Sequence, residues 1–302
     1  MTMPNFIIVG AQKSGTTALA RYLQQHPQIY MSPVKEPGFF DFEGLEPNFC
    51  GPGDAEWYRY PNIVNDIDSY CKLFAGVSTE TAIGEATTWY LYSPRAPERI
   101  QHYIPDVKLI AILRNPVDRA YSAFMHTVYE EREPLRDFAK ALKEEEKRIA
   151  NNWEYRWRYK QMGFYSAQLK RYFDLFDRSQ IRVYLYEDLN ENPIGLLNDI
   201  FQFLNVDIDF IPDVTSRHNA SGIVKSRALH KLVYDDNPIK NAVKSILPGD
   251  FRKKIVAQLK IQNLAKIPCP SDVRRKLLED FCKEVSELQS LIHRDLSEWL
   301  LE

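Results

Sequence analysis

Long apolar runs are absent from this chain. The longest, such as Leu109–Leu113, have the length of one strand. None approaches the roughly 20 residues of a membrane-spanning helix. An excess of one charge is absent too: 39 Lys and Arg stand against 41 Asp and Glu, a formal net charge of −2. That excludes a surface that draws nucleic acid or membrane as a whole, so any polyanion site must be local. Cysteine is scarce: Cys50, Cys71, Cys269 and Cys282 lie far apart with no CxxC pair. This argues against a zinc site and predicts reduced thiols. There is no internal repeat and no low-complexity tract. The opening MTMPNF runs almost directly into a strand pattern, so no signal peptide and a cytoplasmic protein are expected.

What is present is the composition of a globular protein: 302 residues, 44% hydrophobic and 26% charged. One α/β domain over residues 1–302 is expected. The most informative stretch is Phe6–Thr17, FIIVGAQKSGTT. Phe6 to Gly10 reads as a buried strand. Gly10 and Gly15 bracket a loop of small residues. Thr16 and Thr17 open a run with apolar residues at Ala18, Leu19, Tyr22 and Leu23, the period of a helix. Strand, glycine loop and helix start make an anion site, because free backbone N–H groups and the positive end of the helix dipole converge there.

Further strands are read at Gln28–Met31, Ile83–Thr87, Val107–Leu113 and Ile181–Tyr186. Helices are predicted over Asp66–Phe74, residues 94–103, from Pro116 to about Glu130, and over Gly163–Phe176 and Pro193–Leu204. Residues 136–150 read as one helix whose Glu and Lys run is a solvated face. Ser271–Leu301 reads as a closing helical segment capped by Ser271-Asp272. Strands alternating with helices predict a mostly parallel sheet flanked on both faces, with ligands beyond the carboxyl ends of its strands.

The glycine loop nearly fits the P-loop pattern GxxxxGK[ST], but its lysine is Lys13, inside the loop, and position 16 is Thr16. A P-loop nucleoside triphosphatase also needs an acidic residue at the end of a neighbouring strand to hold Mg²⁺. Here that strand ends in Arg114-Asn115. Two cationic traps on adjacent strands result: Lys13 with the loop, and Arg114 with Ser122 two helical turns on. A nucleoside carrying phosphates at both ends would satisfy both.

GAQKSGTTAL resembles the 5′-phosphosulfate loop of sulfotransferases that use 3′-phosphoadenosine 5′-phosphosulfate (PAPS). LRNPVDRAYSAF resembles their 3′-phosphate motif. The likeness is greatest to the heparan-sulfate-type branch and its bacterial relatives, with KEPGFFD, GEATTWYL, MHTVYEEREP, GFYSAQLKRYF, VYLYEDLNENP and DLSEWL in family order. The resemblance implies a P-loop-like three-layer fold. It also implies sulfuryl transfer from PAPS to a hydroxyl acceptor, releasing adenosine 3′,5′-bisphosphate, without a metal. Lys13 would contact the leaving phosphate. Ser14, Gly15, Thr16 and Thr17 would hold the 5′-phosphate, and Arg114 and Ser122 the 3′-phosphate. Arg217, Ser221, Gly222, Lys225 and Arg227 match the loop that covers the 3′-phosphate and adenine. Glu36 matches the family's glutamate base, and His126 is the other candidate base; Lys35 would assist near the sulfuryl group. One departure stands out: relatives often carry a lysine in the strand motif where this chain has Ala86, after Glu85. A P-loop nucleotide kinase and a non-catalytic binder of adenosine bisphosphate are the alternatives.

Overall fold

The computed structural model describes residues 2–57, 63–215, 223–224, 264–265 and 267–301. Arg217, Ser221, Gly222, Lys225 and Arg227 lie outside the described residues.

Five parallel strands form the central sheet, in the order β2-β3-β1-β4-β5. They are β1 (Phe6–Gly10), β2 (Ile29–Met31), β3 (Ala82–Ala86), β4 (Lys108–Leu113) and β5 (Ile181–Leu185). Strand β1 is central, pairing Ile8 with Ala86 of β3 on one side and with Ile110 of β4 on the other. Its residues alternate between two cores, as the two-residue period of a strand requires. Ile7 and Val9, with Leu109, Ala111 and Leu113 of β4, face one layer, while Phe6, Ile8, Ile110 and Ile112 face the other. Burial on both faces explains why β1 and β4 read as unbroken apolar runs. At Gly84 in β3 a side chain would run into the Phe6 ring, so glycine lets that ring lie flat on the neighbouring strand.

The layer behind Phe6 and Ile8 is built from α1 (Thr16–Leu23) and a later helix (Pro193–Leu204), through Leu19, Leu23, Leu197, Ile200 and Phe201. The opposite layer is larger. It takes α5 (Ala96–Tyr103), α6 (Pro116–Tyr129), α9 (Tyr165–Phe173) and the long helix Ser271–Ile292. Smaller helices fill the connections: α2 (Phe39–Phe42), α3 (Asp54–Trp57), α4 (Ile67–Lys72), α7 (Phe138–Lys143), α8 (Glu145–Ala150) and α10 (Tyr186–Glu191). The helix Pro193–Leu204 is α11, and Ser271–Ile292 is α12. The architecture is the expected P-loop-like three-layer α/β fold.

Two readings of the sequence are corrected. Residues 136–150 do not form one helix: α7 ends at Lys143, and α8 begins at Glu145. Their charged run is not simply a solvated face. Glu145 and Arg148 are buried; Glu145 accepts the N–H groups of Lys160 and Gln161, and Arg148 makes a two-pronged ion pair with Glu133 at 2.7 and 2.9 Å. Nor is Ser271–Leu301 a single helix capped by Ser271. Its N-cap is Pro270, with no side-chain cap bond, and the helix stops where His293 turns left-handed before a 3₁₀ turn at Ser297–Leu300. The four cysteines are free thiols. Among the described residues no helix is long and apolar enough to cross a membrane.

Candidate functional site

At the carboxyl end of β1 the chain leaves the sheet at Gly10, and the Ala11 N–H bonds to Ile112 of β4 at 2.8 Å. Residues 11–15 then curl over the strand ends. Lys13 and Gly15 both take positive φ, 69° and 93°. Glycine at position 15 is required twice over. A Cβ there would strain the left-handed backbone, and it would lie 2.8 Å from a Leu189 methyl and 3.1 Å from the Tyr186 ring. Gly15 offers no side chain to cap α1, and no acidic residue lies in the first turn. No backbone acceptor among the described residues takes the N–H groups of Gly15, Thr16 or Thr17. These are the orphan donors of a helix start, an arrangement suited to an anion. Ser14 and Thr16 are buried beneath them.

Lys13 lies within this loop. Burial pushes its ammonium pKa down to about 8. Glu130 is the strongest opposing charge, Lys35 and Arg114 push further down, and Glu36 pushes up. Arg114 follows the end of β4, and its guanidinium donates to the Lys13 carbonyl at 3.3 Å. It lies over the Tyr186 ring, 4.7 Å from the centroid, at the start of α10. The Tyr165 hydroxyl donates to the Arg114 carbonyl at 3.0 Å. The two cationic traps read from the sequence therefore touch. Ser122 is buried on α6; no hydrogen bond joins it to Arg114 among the described residues.

The loop after β2 supplies the third wall. The Glu36 N–H donates to the carbonyl of Ala86 at 3.1 Å, which docks this loop on the end of β3. Glu36 itself has φ of 59°. Its carboxylate accepts the Thr88 hydroxyl at 2.7 Å and lies 3.6 Å from the Lys35 ammonium. Lys35 in turn donates to the Thr17 hydroxyl at 2.8 Å. Lys35 thus reaches the mouth of the glycine loop.

His126 lies on α6, its Nε2 3.3 Å from a Glu130 oxygen. Its pKa is lowered to about 2, by burial first and then by Lys13, Arg156, Lys35 and Arg132. Glu85, beside Ala86 on β3, is fully buried and accepts the Thr87 and Tyr70 hydroxyls at 2.7 and 3.1 Å. Burial raises its pKa to about 7. It is a core carboxylate beneath the site.

Lys13, Ser14, Gly15, Thr16, Thr17, Arg114, Glu36 and His126 therefore gather at one end of the sheet. Thr88, Glu130, Arg156 and Tyr186 join them unannounced by the sequence reading. The rule that ligands bind beyond strand ends could have flagged Thr88 and Tyr186, and the i,i+4 spacing from His126 could have flagged Glu130.

Residues 4–210 match the model of the Sulfotransferase family. The chain belongs to this family. A crystal structure of a sulfotransferase from Alicyclobacillus acidocaldarius is similar over 99% of each chain, at 37% identity and a TM-score of 0.79. The membrane-associated sulfotransferase kil1 of Dictyostelium discoideum is 33% identical over 128 residues, covering 42% of this chain and 24% of that protein. The bifunctional heparan sulfate N-deacetylase/N-sulfotransferase 4 of Mus musculus is 27% identical over 214 residues, 68% of this chain and 22% of that one. This chain thus spans under a quarter of the length of these two relatives. The family match includes the glycine loop, the Lys35–Glu36 loop, and Arg114 through α6.

Proposed function

We propose that this sulfotransferase-family chain transfers a sulfuryl group from PAPS to a hydroxyl of a carbohydrate, lipid or small molecule by in-line displacement. The observation that carries the reading is the contact between Arg114 and the Lys13 carbonyl. It brings the loop of Lys13 and the guanidinium of Arg114 side by side, which supports reading them as two phosphate traps where a P-loop triphosphatase would hold Mg²⁺ with an acid. In this reading the N–H groups of Gly15 to Thr17, with Ser14, Thr16 and Thr17, hold the 5′-phosphate. Arg114 and Ser122 hold the 3′-phosphate, and Arg217, Ser221, Gly222, Lys225 and Arg227 cover it and the adenine. Arginine suits that role because its planar fork pairs two phosphate oxygens.

PAPS supplies the activated sulfuryl group. As the acceptor oxygen bonds to sulfur, the bond from sulfur to the 5′-phosphate oxygen breaks and negative charge grows on that oxygen. Lys13 and the positive end of α1 meet this charge. The acceptor's proton passes to a carboxylate, and Glu36 is the base we assign. Its hydrogen bond from Thr88 fixes its orientation, and Lys35 stands between it and the glycine loop. Ala86 leaves the strand without the relatives' lysine, and Lys35 offers an ammonium in its place.

Incubation of labelled PAPS with a panel of hydroxyl acceptors tests the reading. Calorimetry with adenosine 3′,5′-bisphosphate against ATP–Mg²⁺ separates it from a nucleotide kinase. Lys13→Ala should lower kcat by roughly 10²–10³-fold, as loss of a transition-state donor does. Arg114→Ala should weaken bisphosphate binding by roughly 10–100-fold, the worth of a charged hydrogen bond. Wild-type transfer by Lys13→Ala would overturn the assignment.

A further inference from the structure

We propose that Glu130 is a positioning residue for the transfer. Its carboxylate, held by Arg156, orients His126 with Nε2 as the N–H nitrogen and sets a fixed negative charge against the Lys13 ammonium. The proposal rests on the reading of Lys13 as the cation that meets the leaving phosphate.

Glu130 is the C-cap residue of α6, one turn beyond His126. One of its oxygens lies 3.3 Å from His126 Nε2, and the other accepts from Arg156 Nη1 at 2.7 Å. A carboxylate engaged by a guanidinium can only accept, so its 3.3 Å approach favours the tautomer that carries the proton on Nε2. A neutral imidazole then carries its lone pair on Nδ1. Burial first, and then four cations from four segments, keep the ring neutral: Lys13 in the glycine loop, Arg156 beyond α8, Lys35 before α2 and Arg132 after α6. So weak a base does not hold the acceptor's proton. His126 can still receive a hydrogen bond at Nδ1 and aim the acceptor hydroxyl, leaving the proton to Glu36. This gives the two candidate bases different duties.

Glu130 also answers a problem of charge. Lys13, Lys35 and Arg114 act on one another within the site, and burial already lowers the Lys13 pKa. Two carboxylates oppose them, Glu130 and Glu36, and Glu36 is also 3.6 Å from Lys35. Glu130 is the stronger counter-charge to Lys13. Arg156 pairs with Glu154 as well, so neutralising Glu130 does not leave that guanidinium alone.

Glu130→Gln keeps the shape and an accepting oxygen but removes the charge. The profile of kcat/KM against pH should lose activity above about pH 8 in the parent, as Lys13 deprotonates. In the variant that limb should move down by roughly one unit, with transfer at pH 8 falling by roughly fivefold. Calorimetry should show adenosine 3′,5′-bisphosphate bound as tightly or more tightly, because a negative charge has left the site. A parental limb and rate in Glu130→Gln overturn the proposal. If the variant fails to fold, the parent protein decides: ¹⁵N–¹H correlation of labelled histidine, with His126 assigned by His126→Gln, should show the Nε2–H tautomer from pH 6 to 9. An Nδ1–H or cationic ring overturns the proposal. Full transfer by Lys13→Ala would instead overturn the reading beneath it and leave the tautomer result standing.

Discussion

At the residue scale the site is a set of opposed charges whose spacing decides their chemistry. Glu36 illustrates it. A left-handed backbone, an N–H tied to Ala86 and a hydroxyl from Thr88 hold its carboxylate in one place. Glu36→Gln keeps the Thr88 bond and loses the ability to take a proton. The expected result is a fall in kcat of roughly 10²–10⁴-fold, the usual worth of a general base, with adenosine 3′,5′-bisphosphate binding unchanged by calorimetry. A full rate in this variant would transfer the base to His126, against the low basicity that burial and its cationic neighbours impose.

At the element scale, helix ends do the positioning. The uncapped start of α1 leaves its donors for an anion, whereas the start of α6 is capped twice over. Asn115 accepts the N–H groups of Val117 and Asp118 at 3.0 and 3.3 Å, and its amide donates to the Trp299 carbonyl at 2.9 Å. That residue joins the helix carrying Ser122 and His126 to the 3₁₀ turn at Ser297–Leu300. Asn115→Ala should cost about 1–2 kcal/mol, which thermal unfolding would register as a fall in Tm of roughly 1.5–3 °C. An unchanged Tm would show that the cap contributes nothing to stability. A similar device across elements is Glu284 of α12, which accepts both the N–H and the hydroxyl of Ser166 at the start of α9 at 2.6 Å.

At the scale of the whole molecule, several carboxylates lie in the core with raised pKa values: Glu85, Asp41, Glu145 and Glu284, in each case through burial first. A carboxyl group raised from 4.5 when unfolded to about 7 when folded binds more protons in the native state between those values. Stability therefore falls as pH rises through that window, and Glu85 alone accounts for up to about 3 kcal/mol of the fall. Urea midpoints should drop between pH 5 and pH 8. Glu85→Gln, which stays neutral, should shrink that drop, while Asp41, Glu145 and Glu284 keep part of it. An equal drop in both proteins would remove Glu85 as its source.

The central strands, the glycine loop and the position of Arg114 were legible in the sequence because they depend on neighbours along the chain. A strand buried on both faces must be apolar throughout, a left-handed turn selects glycine, and a strand end carries its next residue with it. Other features needed the fold. Glu145 and Arg148 sit in a run that looks solvated, yet they are buried because the chain from Tyr155 to Gln161 folds back over them. Thr88, Tyr186 and Arg156 enter the site from segments distant in sequence from the glycine loop, and local periodicity is blind to such approaches. The sequence by itself determined that a lysine-bearing glycine loop and an arginine follow the ends of two apolar strands; the pairing of β1 with β4 makes those strands neighbours in the sheet. Only the tertiary structure decided that Arg114 touches the Lys13 carbonyl, that Lys35 reaches Thr17, and that Glu130 lies between His126 and Arg156. Charges act through space, and the distances between them are set by packing.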